Sequence, residues 1–316
     1  MSVLKHLIEV TDLLDNPKVC GKSVEKFFEE KGFSNIIEVY VERISGSKGY
    51  TDFIKIIIPG NNGKYKGGSA PTLGVIGRLG GVGARPTLIG MVSDADGAIV
   101  ALATAYKLAE MKKRGDVVPG DIIVTTHICP SAPVKPYKPA PMMTSPVDIF
   151  ELLRREVDPQ MDAILSIDAT KANWIIKHTG FAITPTIKEG WILKPSPSLI
   201  DIYTRVTGRP PVVVPITMQD ILPYTTPVYH INSIVQPWIY TTAPVVGVAT
   251  TAQTIIPGSA TGATNIWALE QATRFVVEVA KEYTSQKTAF YEEEEWKKII
   301  EIHGSIREIM RKGAPL

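Results

Sequence analysis

Four short apolar runs constrain the fold more than any other feature of the sequence: TLGVIG at 72–77, DIIVTTHI at 121–128, MDAILSID at 161–168 and APVVGVAT at 243–250. Each is too short for a core helix and is bounded by glycine, proline or charge, the pattern of a strand buried on both faces. Between the first two lies SDADGAIVALATAYKLAEMKKR, which carries Asp94 and Asp96 at its start and Lys112, Lys113 and Arg114 at its end, and is followed by Gly115. Acids at the start, bases at the end and a glycine just beyond are the marks of a helix with both termini matched to its dipole. Strands alternating with helices predict a mostly parallel central sheet covered on both sides, a three-layer α/β/α single domain over 1–316.

The flanking segments add detail. MSVLKHLIEVTDLLDNPK interleaves apolar and charged residues as an amphipathic helix, without the apolar stretch of a signal peptide. Alternation predicts paired strands at 36–44 and 53–60, with GNNGKYKGG as their connecting loop, and TLIGMVS at 87–93 reads as a further strand. Ser145 is placed as the cap of a helix running to about Val157, PSLIDIYTRVTG as a helix closed by Gly208, and PVVVPIT as a strand. Two helices at roughly 264–283 and 291–311 finish the chain. Trp296, Ile299, Ile300, Ile306, Ile309 and Met310 form an apolar stripe on the second, which is expected to cover the domain or a neighbouring subunit. That stripe and the long proline loop at 130–146 point to a homo-oligomer.

Composition narrows the function classes. A net charge of +2 with 21% charged residues gives nucleic acid no electrostatic handle, and no stretch approaches the length needed to cross a bilayer. Two cysteines, Cys20 and Cys129, exclude a disulfide framework and fit a reducing cytoplasm. Abundant proline, and the Lys, Glu and Ile of the carboxyl-terminal region, fit a thermophile.

Ligands of open parallel sheets bind outside the carboxyl ends of the strands, and those positions here are polar: Arg78, Asp94 and Asp96, His127, and Asp168. Each also has a structural reading. Asp94 is suited to capping the following helix, Asp168 to an ion pair with Lys171, and His127 to a backbone hydrogen bond. His127 and Cys129 share a strand face if the strand reaches that far, as metal ligands or as a thiol beside an imidazole, against the commoner case of an inert buried cysteine. His230, in VYHINSIVQP, is a further candidate from another loop. GRLGGVGARP and GNNGKYKGGS lack the spacing of phosphate-binding loops.

The stretches KGYTDFIKIIIPG, GGSAPTLGVIGRLGGVGARP, MVSDADGAIVALATAYKLAEM, GDIIVTTHICPSAP and VTGRPPVVVPIT resemble a prokaryotic family catalogued as domain of unknown function 1177. The order of SDADGAIVALATA, DIIVTT and ILSIDATKA is more distantly similar to the di-zinc aminopeptidase and deacylase superfamily, which implies a zinc-aminopeptidase-like (phosphorylase/hydrolase-like) topology. By that resemblance Asp94 stands at the bridging metal-ligand position and Asp168 at a terminal one. Arg78 and Gly80 replace the superfamily's His-x-Asp motif, HICP replaces its Glu-Glu pair, and IIPGSATGAT lacks its final histidine.

Two functions follow as expectations. In one, Asp94, His127 and Asp168, with Asp96 or His230, hold one divalent ion, zinc or manganese, in a hydrolase of amide or peptide-like small molecules, with Arg78 gripping an oxyanion or a substrate carboxylate. In the other, Arg78 supplies the positive charge, and the protein is a non-catalytic ligand-binding or self-assembling protein on a hydrolase scaffold.

Overall fold

A computed structural model describes residues 2–78, 80, 82, 91–136, 142–256 and 264–315. Helices α1 (Val3–Asp15) and α2 (Gly21–Glu30) precede strands β1 (Glu38–Gly46), β2 (Gly49–Ile58) and β3 (Leu73–Gly77), helix α3 (Asp96–Lys113) and strand β4 (Ile122–Ile128). A ribbon of β5 (Val134–Lys135) and β6 (Met142–Met143) is followed by α4 (Ile149–Glu156) and β7 (Ala163–Ala169). Next come β8 (Gly180–Ile183), β9 (Thr186–Lys188), β10 (Trp191–Leu193), α5 (Pro197–Thr207), α6 (Met218–Ile221) and β11 (Val245–Thr251). Helices α7 (Ile266–Thr284), α8 (Glu293–His303) and α9 (Arg307–Met310) complete the order.

Among the described residues the sheet has nine strands, ordered β1-β2-β4-β3-β7-β11-β9-β10 with β8 also on β11. The four strands read as apolar runs, β4, β3, β7 and β11, are its parallel centre. Antiparallel strands border them on both sides, so the sheet is mixed, with its parallel character confined to the middle.

Strand parity separates the layers. Leu73, Val75, Val124, Leu165, Ile167, Val246 and Val248 face the large cluster that includes side chains of α1, α3, α5 and α7. Ile76, Ile123, Ile164, Val245 and Ala249 face a second cluster with Trp238, Ile239 and Ile221. Helix α3 lies between sheet and outer helices and is buried on nearly every side, which explains its run of alanines. Its second residue, Gly97, is required by close approach: a Cβ there would lie 1.8 Å from the carbonyl oxygen of Arg78.

Several sequence expectations need correction. The β1–β2 hairpin closes at Ser47 and Lys48, and the glycine-rich GNNGKYKGG follows β2 instead of joining the pair. Asp148, not Ser145, caps α4, accepting from the backbone N–H groups of Phe150 and Glu151. PVVVPIT makes only an isolated bridge, Val213 to Ile183, because Pro211 and Pro215 have no N–H for a ladder. The final helix breaks at Gly304, whose φ is 72°, and α9 resumes after it. Most of the expected strand at 87–93 and part of the proline loop lie outside the described residues.

The carboxyl-terminal segment packs on its own chain. Trp191 Nε1 donates to the carbonyl of Gly304 (3.1 Å), Arg307 to that of Ile239 (3.1 Å), Thr225 to that of Gly313 (2.9 Å) and Tyr240 to that of Pro315 (2.9 Å). Met310 joins the second core cluster, while Ile302 and Ile309 stay 71% and 72% exposed. Among the described residues no helix is long and apolar enough to cross a membrane.

Candidate functional site

The register of the central strands brings three of the expected residues side by side. Gly77 pairs with Thr126 on one side and Ile167 on the other, so the next residue on each strand places Arg78 between His127 and Asp168. In parallel strands such neighbours project to the same face, and parity assigns all three to the side covered by α4. The backbone N–H of Arg78 donates to the carbonyl of Ile167 (2.8 Å), which continues the β3–β7 pairing to the end of the sheet.

From α4 comes a residue that the sequence reading missed. Glu156, fully buried, has Oε2 3.6 Å from Nε of Arg78 and Oε1 3.4 Å from Nδ1 of His127. A signal was present in the sequence, since Glu156 follows Leu153 and Leu152 by three and four residues and so lies on the apolar face of its helix. Arg78 is itself fully buried, and its Nη1 donates to the carbonyl of Ser233 (3.4 Å). Burial disfavours its charge, but Tyr224, Glu156 and Asp168 more than offset this and hold it above the ordinary arginine value.

In front of this wall is a cavity of about 680 Å³ whose lining includes Asp94, His127, Asp168, Cys129, Tyr224 and Ser233. Tyr224 donates to the hydroxyl of Ser233 (2.8 Å), another pair absent from the sequence reading. Asp94 sits in the short turn Ser93–Ala95 ahead of α3, whose own cap position is Ala95, so Asp94 is not the helix cap. Burial, then Asp168 and Asp96, raise Asp94 well above the usual carboxylate range, against the pull of Arg78. Asp168 is pushed up to about 6 by burial, opposed by Arg78 and by the backbone N–H of Ala169 at 2.7 Å. The exposed Lys135 also lines the cavity, but an exposed ammonium is screened by solvent.

The remaining candidates fall elsewhere. Asp96 forms a buried ion pair with Lys171 (2.5 Å) and accepts from Thr250 (2.6 Å), so the cation expected beside Asp168 belongs to Asp96. His230 stacks on Tyr224, with ring centroids 5.5 Å apart, and is not on the cavity lining. Burial pushes the Cys129 thiol up to about 11, which removes the thiolate that a nucleophilic role requires. Arg78 lies behind the lining, so the expected grip on a substrate group is not available to it.

A divalent ion needs three or more protein donors converging on one point. Among the described residues no such group of His, Cys, Asp and Glu exists, and Asp94, His127 and Asp168 share a cavity without forming a coordination shell. The donor set therefore does not fit the expected ion.

The profile of the family described as "Protein of unknown function (DUF1177)" matches residues 42–313. The chain belongs to the DUF1177 family. A comparison of this DUF1177 chain with curated proteins finds no match. Among solved structures, a mutant of tomato leucine aminopeptidase is similar, with a TM-score of 0.55 and 11% sequence identity over 87% of the DUF1177 chain. The alignment spans 61% of the aminopeptidase chain. At that identity the likeness shows an aminopeptidase-like fold, an α/β sheet flanked by helices, and nothing of activity.

Proposed function

We propose that the cavity is a binding site for a small, peptide-like molecule that carries an ammonium group, seated between Asp94 and Asp168. The carrying observation is a charge imbalance. Among the described residues, Arg78 is shared with Glu156 behind the wall and Lys171 with Asp96, while two carboxyl groups share one cavity and each holds its proton more tightly than an ordinary carboxyl. A cationic ligand relieves that imbalance, and the apolar lining around Met143 and Ile149 suits the rest of a peptide-like molecule. On this reading the protein is a ligand-binding member of the aminopeptidase-like fold.

A hydrolytic version is supported by one observation, the presence of His127 on the same lining, where an imidazole can accept a proton from an attacking water. Calorimetric titration with primary amines, amino acid amides and dipeptides, beside Zn²⁺ and Mn²⁺, separates the alternatives, and scoring the same amides for cleavage tests hydrolysis. The expected result is saturable amine binding, weakened at least about tenfold, or about 1.4 kcal/mol, in both Asp94→Asn and Asp168→Asn. Amine binding indifferent to both substitutions overturns the proposal. Stoichiometric metal binding lost in both variants replaces the ammonium with a metal ion.

A further inference from the structure

Among the described residues, five buried polar atoms behind the cavity wall have no hydrogen-bond partner: Nε and Nη2 of Arg78, Nδ1 of His127, and both carboxyl oxygens of Glu156. Four of them form two facing pairs, Nδ1 with Oε1 at 3.4 Å and Nε with Oε2 at 3.6 Å. Ordinary N–H···O bonds span about 2.7–3.2 Å, so a shift of a few tenths of an ångström closes both. Buried donors and acceptors are rarely left unpaired, and each carboxyl oxygen of Glu156 has one nitrogen in front of it. The pairing fixes protons as well as positions. Arg78 can only donate, so it takes one carboxylate oxygen, and the other can only accept. A neutral His127 facing that second oxygen with a bare Nδ1 would set lone pair against lone pair.

We propose that Glu156 is a positioning residue: held between Arg78 and His127, it fixes the neutral imidazole as its Nδ1–H tautomer and leaves the Nε2 lone pair for the cavity. The cavity then presents an acceptor on His127 across from carboxyls that carry or receive a proton, an arrangement suited to proton transfer with a bound molecule. This rests on the reading of the cavity as a ligand site, yet its test needs no ligand, so the two can fail separately.

The tautomer is read from long-range ¹H–¹⁵N correlation spectra of the labelled full chain at about pH 8. The sequence has five histidines, and His127→Gln assigns the signal. The wild type is expected to show a protonated, pyrrole-type Nδ1 and an unprotonated, pyridine-type Nε2. In Glu156→Gln the carboxamide turns its oxygen to Arg78 and its NH₂ to Nδ1, so the tautomer should invert. The double variant Arg78→Met with Glu156→Met removes both charges together, which spares the fold an unpaired buried ion. There His127 should drift toward the Nε2–H form that free histidine favours. A wild-type His127 protonated on Nε2 overturns the proposal, as does an unchanged tautomer in a folded double variant.

Discussion

The carboxyl group of Asp168 binds its proton more tightly in the folded protein, near pH 6, than in the unfolded chain, where it titrates near 3.8. Folding therefore takes up a proton between those values. The stabilisation is complete below about pH 4 and is lost as pH rises through 6. Asp168→Asn removes a group whose charge opposes folding at neutral pH, so thermal melts above pH 7 should show the variant more stable than wild type, by up to about 3 kcal/mol. The difference should fade as pH falls toward 4. Asp96 instead forms a buried ion pair with Lys171 and accepts from Thr250. Asp96→Asn removes the carboxylate from this buried ion pair, and urea denaturation should show a loss of about 3–5 kcal/mol. Asp168, which lowers stability when ionised, lines the cavity, whereas Asp96 is not part of that lining.

At the scale of elements, the start of α3 is held against the ends of the parallel strands by the absence of a side chain. A Cβ on Gly97 would lie 1.8 Å from the Arg78 carbonyl and 2.5 Å from that of Ile167, both of them backbone atoms that cannot swing aside. Gly97→Ala should push α3 off the sheet, lower the urea midpoint by the equivalent of about 1–3 kcal/mol or more, and displace Asp94 along with the helix start. The central strands were legible in the sequence because burial on both faces writes an uninterrupted apolar run. Strands β8, β9 and β10 were not, since each has four residues or fewer and none shows a full period of alternation. Arg78, His127 and Asp168 were legible for the same reason as their strands, as ionisable residues at the carboxyl ends of apolar runs. Glu156 was not, because its importance lies in what a helix face meets across the sheet, and no local spacing encodes that contact.

The whole molecule closes on its carboxyl terminus. Removing residues from Tyr291 onward would strip Trp296 from Lys188, whose ammonium lies 5.1 Å from the rings of both Tyr291 and Trp296, and would uncover the second core cluster at Met310. Circular dichroism of that truncation should show a lower melting temperature, in contrast to a terminal helix that served only to join subunits. The same long-range closure builds the cavity: the turn before α3 and the end of β7 belong to distant parts of the sequence, yet Asp168 acts on Asp94 across one space. A double-mutant cycle on Asp94→Asn and Asp168→Asn, measured by urea denaturation near pH 7.5, tests that juxtaposition most directly. Either substitution alone should relieve the shared repulsion, so the double variant should gain less than the sum of the singles by about 1 kcal/mol or more. Gains that add to within about 0.5 kcal/mol would mean that the two carboxyl groups do not sense each other, and the cavity as described would lose its basis.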